Sequence, residues 1–231
     1  MSRRNGFTVV ELAVIFAILA VGIFIAITVI SERRRSGAPR DSQLRGIHQA
    51  MVIFAQGNNS WFPGLDHHGN GNPTVEERFQ LLLDANYFTG EYAISPAETK
   101  TVWTPGQTVT TANYSYSMLE LNPGATCDVG KPLTQGAPHA RRKEWRDTIN
   151  GDAPILSDRN TGTAAKPSSI HTNTPGDWRG SVAYNDNHVV FETTHVIPKT
   201  TYAGVVTTSD DLFAAPTDSD ALLIHSGTQG P

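Results

Sequence analysis

Three groups of side chains in this sequence are of types that do chemistry. Asp66-His67-His68, in a Gly/Asn-rich stretch, offers one carboxylate and two imidazoles, good donors for zinc or copper. Three adjacent loop residues seldom converge on one ion, and no cysteine pair or HExxH helix accompanies them, so a solvated polar loop is expected. Asp210, Asp211, Asp218 and Asp220 form an acidic cluster near the C-terminus. Such oxygens suit calcium, but the spacing fits no EF-hand, and a solvated acidic loop is expected ahead of a calcium site. His171 and His188 flank a segment that reads as strand and turn. They would either approach each other across a hairpin or, more simply, hydrogen-bond to backbone. Nucleophile patterns are missing: the sequence has no Gly-x-Ser-x-Gly elbow, phosphate loop or dinucleotide glycine motif, and the single Cys127 has no neighbouring histidine. Trp61, Trp103, Trp145 and Trp178 are scattered, as core or rim anchors are, rather than grouped as a glycan platform. No catalytic residue is assigned, and no enzyme is expected.

The elements that must position these groups follow from periodicity. In residues 40–56, Leu44, Ile47, Met51 and Phe54 recur at spacings of three, four and three, which predicts a helix with one apolar face against a sheet. Gly57-Asn58-Asn59 is its stop signal, because these residue types accept the left-handed cap conformation. Thr74-Val75-Glu76-Glu77 reads as a capping box opening a helix over about 75–87. Strands are expected over 112–119 and 153–158, and as a pair, 181–184 with 189–192, around the turn Asn185-Asp186-Asn187-His188. Residues 121–138 are Gly/Pro-rich loop. From Thr193 the chain is rich in Thr, Ser, Asp and Pro and is expected to be partly irregular, with Leu212, Phe213 and residues 221–224 able to pack.

Ahead of all this lies an apolar run. From Phe7 to Ile30, roughly 24 residues, Glu11 is the only charge. At about 1.5 Å per residue the helix spans roughly 36 Å, enough for a bilayer core. A carboxylate facing lipid there costs about 2 to 3 kcal/mol or more, so Glu11 needs a partner or a task. The chain of 231 residues carries 18 basic and 22 acidic side chains, a net charge of −4. No basic stripe interleaved with aromatics suggests nucleic acid. Arg33-Arg34-Arg35 beyond the run balances Arg3 and Arg4 before it, so the positive-inside rule favours neither orientation. One cysteine forms no intramolecular bridge, so disulfides do not staple the domain.

The short basic segment Met1-Ser2-Arg3-Arg4-Asn5-Gly6, followed directly by Phe7-Thr8-Val9-Val10-Glu11, resembles the class III signal of type IV prepilins and type II secretion pseudopilins. An ordinary secretory signal with cleavage near Ala20-Val21-Gly22 fits less well, because apolar residues continue past that point. The resemblance implies that a prepilin peptidase cuts after Gly6 and methylates the new terminus at Phe7. Glu11 then becomes the fifth mature residue, where the family places its glutamate. A carboxylate there can neutralise the Phe7 ammonium of the next subunit inside an apolar bundle and so set register. The implied organisation is a leader over 1–6, a transmembrane and filament-core helix over 7–36, and a globular domain over 37–231 outside the membrane. Residues 37–57 would be the second half of the helix. The implied fold is α+β and pilin-like, a long N-terminal hydrophobic helix packed on a small antiparallel sheet.

A second resemblance lies further on. Leu44-Arg45-Gly46-Ile47-His48-Gln49-Ala50, Phe54 and Trp61-Phe62-Pro63-Gly64 are similar to the junction of a planctomycete-type pilin-like family with a C-terminal histidine and Asp-Gly motif. The head of that motif would be His171 and its tail Asp186-Asn187-His188-Val189, with Asn187 in place of the glycine. Together these resemblances imply a structural subunit of a type II secretion pseudopilus or type IV pilus-like filament in the cytoplasmic membrane, with its globular domain in the periplasm or cell exterior. The implied partners are prepilin peptidase, other pilin subunits, the inner-membrane assembly platform and the membrane. The competing expectation is a membrane-anchored envelope enzyme or binding protein that uses the leader only for export. An enzyme of that kind predicts a site converging on His67, His68 or His171.

Overall fold

The computed structural model describes residues 38–121, 140–172, 174–217 and 219–226. The chain divides into two units, Met1–Pro39 and Arg40–Pro231, and only residues 38 and 39 of the first are described. Gly6, Phe7, Glu11, Cys127 and Asp218 therefore lie outside the described residues, as does the expected membrane span. Among the described residues no helix is long and apolar enough to cross a membrane.

Helix α1 (Ala38–Gln56) presents a buried seam of Leu44, Ile47, Ala50, Met51 and Ala55 to the core. Phe54 is only half-buried and packs edge-on against Tyr87. The seam instead admits a polar residue, His48, at 1% exposure. The helix ends where expected, but the left-handed residues are Asn59 (φ 52) and Ser60 (φ 68), and Gly57 is not among them. Helix α2 (Val75–Asp84) opens on the capping box: the Glu77 amide donates to Thr74 Oγ1 at 3.1 Å and the Thr74 amide to Glu77 Oε2 at 2.8 Å.

The sheet is antiparallel throughout, in the order β4 (Val189–Glu192), β3 (Gly180–Tyr184), β2 (Pro154–Asp158), β1 (Tyr116–Leu119), β7 (Leu223–Ile224). Burial fills β1, β2 and β3 completely, so the sheet is covered on both faces and its strands lack in-out alternation. The β3–β4 hairpin pairs Ala183 with Val189 and Gly180 with Glu192. Tyr116 Oη donates to Gln43 Oε1 at 2.8 Å, which ties α1 to β1. The stretch after Thr193 departs from the expectation of irregularity. It forms a two-stranded ribbon, β5 (Val196–Tyr202) with β6 (Val205–Asp211), turning on Ala203 (φ 49) and Gly204 (φ 84). Two successive positive φ values give the turn whose twist matches a hairpin, and β-branched Val and Thr fill the strands.

Buried arginines knit these elements together. Arg78 donates to the Thr74 and Leu119 carbonyls and stacks over Trp145, 4.9 Å from its ring centre. Full burial pushes its guanidinium pKa down to about 10 against the opposing pull of Glu120. A short helix, α3 (Ala140–Glu144), supplies Arg141 to the Glu120, Thr217 and Asp220 carbonyls and Arg142 to those of Gly69, Leu121 and Gly71.

Candidate functional site

The loop residues Asp66, His67 and His68 do not form a ligand set. Asp66 Oδ1 accepts from the amides of His68 and Asn70, each at 2.8 Å, which makes it a turn cap; these bonds hold its carboxyl below the usual range. Both histidines are exposed. The C-terminal acids are likewise occupied one by one. Asp210 Oδ2 accepts from Thr200 Oγ1 and the Ala221 amide, Asp211 Oδ1 from the Phe213 amide, and Asp220 from Thr207 Oγ1 and the Thr217 amide. Among the described residues no group of three or more His, Cys, Asp or Glu is placed to hold a metal ion. The tryptophans do not make a platform: Trp103, Trp145 and Trp178 are buried, and Trp61 lies under Arg146.

The histidine pair separates to opposite ends of the β3–β4 hairpin. At the open end His171 Nε2 meets Asp158 Oδ2 at 2.8 Å, and the same oxygen accepts the Ser181 amide at 2.7 Å. The two side chains are 5% and 1% exposed. Phe191 lies against the imidazole. Gly180 is required here, since a Cβ would come within 2.8 Å of the Trp178 ring and 2.9 Å of Asp158 Cβ. The other ring nitrogen, Nδ1, has no hydrogen-bond partner among the described residues. Among the described residues no hydroxyl or thiol is bonded to that nitrogen. His171 does not meet His67, His68 or His188. The pair ties His171 to the end of β2.

At the turn end, Asp186 Oδ1 accepts from the His188 amide at 3.0 Å and from His188 Nδ1 at 2.5 Å, and His188 stacks flat on Tyr184. Contact with His188 holds the Asp186 carboxyl below its usual range, although burial opposes it. Asn187 has φ 69, in the left-handed region that asparagine and glycine both tolerate. Its Oδ1 lies 3.1 Å from His48 Nδ1 of α1. Burial holds the His48 imidazole below its ordinary pKa, opposed by the Asn187 contact and by Asp147. His48 Nε2 and Asn185 Oδ1 have no hydrogen-bond partner among the described residues. Beside them the 144–150 segment places Ile149 at φ 55 and 74% exposed.

The sequence reading missed Asp158, His48 and Ile149. Asp158 had one signal, an acid at the end of an apolar strand, where aspartate is disfavoured unless bonded. His48 lies one residue after Ile47 on the apolar face, a position the spacing itself marks. Ile149 carries no signal in sequence, because only the backbone reveals its strain. Comparisons of the chain with family models, with curated proteins and with solved structures found no match.

Proposed function

We propose that this protein is a structural subunit of a type II secretion pseudopilus or type IV pilus-like filament. A prepilin peptidase cuts it after Gly6, Phe7 becomes the methylated terminus, and residues 7–36 hold it in the cytoplasmic membrane before assembly. The globular domain then lies in the periplasm or cell exterior, and other subunits and the inner-membrane assembly platform are its partners. One observation carries this reading: Arg3-Arg4-Asn5-Gly6 runs directly into Phe7-Thr8-Val9-Val10-Glu11 and an unbroken apolar stretch to Ile30. Support further along comes from α1, whose apolar seam is buried in the same core as the antiparallel sheet. Intact-mass analysis of membrane-extracted protein tests it. The expected mass is that of a chain beginning at methylated Phe7; a retained leader, or cleavage after Gly22, contradicts the proposal.

A further inference from the structure

A groove of about 410 Å³ runs between α1 and the β3–β4 turn. Its walls are apolar and open: Ile53 is 55% exposed and Ile149 74%. Its charged lining side chains are acidic. Asp147 and Asp186 supply carboxylates, and Asp147 has no ion pair among the described residues. At the base lies the fully buried His48 of α1. Ile149 is the sharpest sign of use. A β-branched residue in the left-handed region costs on the order of 1 to 2 kcal/mol, and here it gains no burial in return. Strain that holds an isoleucine out in solvent, beside a second exposed isoleucine and two acids, is what a docking surface looks like before its partner arrives.

The chemistry that fits is a guanidinium on an aliphatic stem: the stem lies along Ile53 and Ile149, and the planar head, with five donors, reaches the carboxylates. The chain has two runs of three cations. In one, 141–143, Arg141 and Arg142 are already bonded to carbonyls of their own domain. The other, Arg33-Arg34-Arg35, directly precedes α1. We infer that this groove receives Arg33-Arg34-Arg35 of a second copy of the chain, with Asp147 and Asp186 holding the arginines and Ile53 and Ile149 covering their stems. The inference rests on the filament reading, which brings the N-terminal helices of different copies side by side, and it names the contact that fixes their offset.

The test uses full-length chains in membranes, with Cys127→Ser throughout. One tagged copy carries Ser36→Cys, beside the arginines, and a differently tagged copy carries Gln49→Cys, an exposed position on the groove's rim with no role in the proposed contact. After mild oxidation, a disulfide joining the two tags should exceed either same-tag dimer several-fold. Adding Asp147→Lys to the Gln49→Cys copy should abolish that excess. Pelleted filaments are scored in parallel. Filaments without the mixed disulfide overturn the docking site and leave the filament reading standing. The mixed disulfide without filaments upholds the site and removes the filament reading. A mixed disulfide that is no more abundant than same-tag dimers, or that survives Asp147→Lys, overturns the site in either case.

Discussion

The two ends of one short hairpin are built on opposite plans. At its open end, Asp158 answers both His171 and the Ser181 amide with a single oxygen, Phe191 and Trp178 seal the pair, and Gly180 lets them approach. At its turn, Asn187 and Ile149 both sit in the left-handed region and two isoleucines face water. A few residues of strand separate them. Side chains sealed from water make a latch, whereas backbone strain beside exposed apolar surface leaves capacity for an incoming chain. His171, which its chemistry nominates for catalysis, is the sealed one, and His48 of α1 borders the exposed groove.

The largest effect should come from breaking the latch. Asp158→Ala strands the buried imidazole and the Ser181 amide, and denaturant unfolding should show a loss of about 3 to 5 kcal/mol. A change under about 1 kcal/mol would mean that the closed end is not a latch.

Asp210 sharpens the contrast, because it is a buried carboxylate with no ion-pair partner among the described residues. Burial raises its pKa from 3.8 to about 6, against the hydrogen bonds from Thr200 and Ala221, and Asp220 and Asp211 add to the rise. The folded state therefore holds a proton that the unfolded state releases. The resulting stability is complete below pH 3.8 and is lost as pH climbs through about 6. Relative to Asp210→Asn, the wild type should lose about 2 kcal/mol between acid and neutral pH, measured by urea unfolding at each pH. A constant difference across that range would contradict the assignment.

At the turn end the sign reverses. Ile149→Asn removes the β-branch from a left-handed backbone, so the melting temperature should rise with a gain of about 1 kcal/mol, while the mixed disulfide between copies falls. The smallest effect belongs to Asn187→Gly. Relief at φ 69 and loss of the His48 contact offset each other to within about 0.5 kcal/mol by thermal unfolding.

Local rules made some elements legible in the sequence. Thr74 and Glu77 announced α2, and the Asn/Asp turn announced the hairpin, because each acts within four residues. The β5–β6 ribbon was not legible, since Pro198 interrupts it and its buried positions, Ile197, Thr200 and Tyr202, do not alternate. Arg78 and Arg141 were read past for another reason. An arginine looks like solvent-facing charge until long-range folding brings backbone carbonyls around it. Both halves of the candidate site depend on such contacts: His171 finds Asp158 across 13 residues and His48 finds Asn187 across 139.

The claim that copies polymerise through their N-terminal helices rests on Glu11, and Glu11→Gln tests it most directly. In the proposed filament the substitution keeps shape but would leave the Phe7 ammonium of a neighbour unpaired in an apolar bundle, at a cost of about 3 kcal/mol or more. Membrane insertion should not suffer, because the span loses a charge. Both forms are expressed, equal membrane levels and cleavage after Gly6 are confirmed, and sheared filaments are pelleted and quantified. A steep loss of filaments from the Gln form, at equal membrane level, is the predicted result. Equal filament yield from the two forms would contradict it.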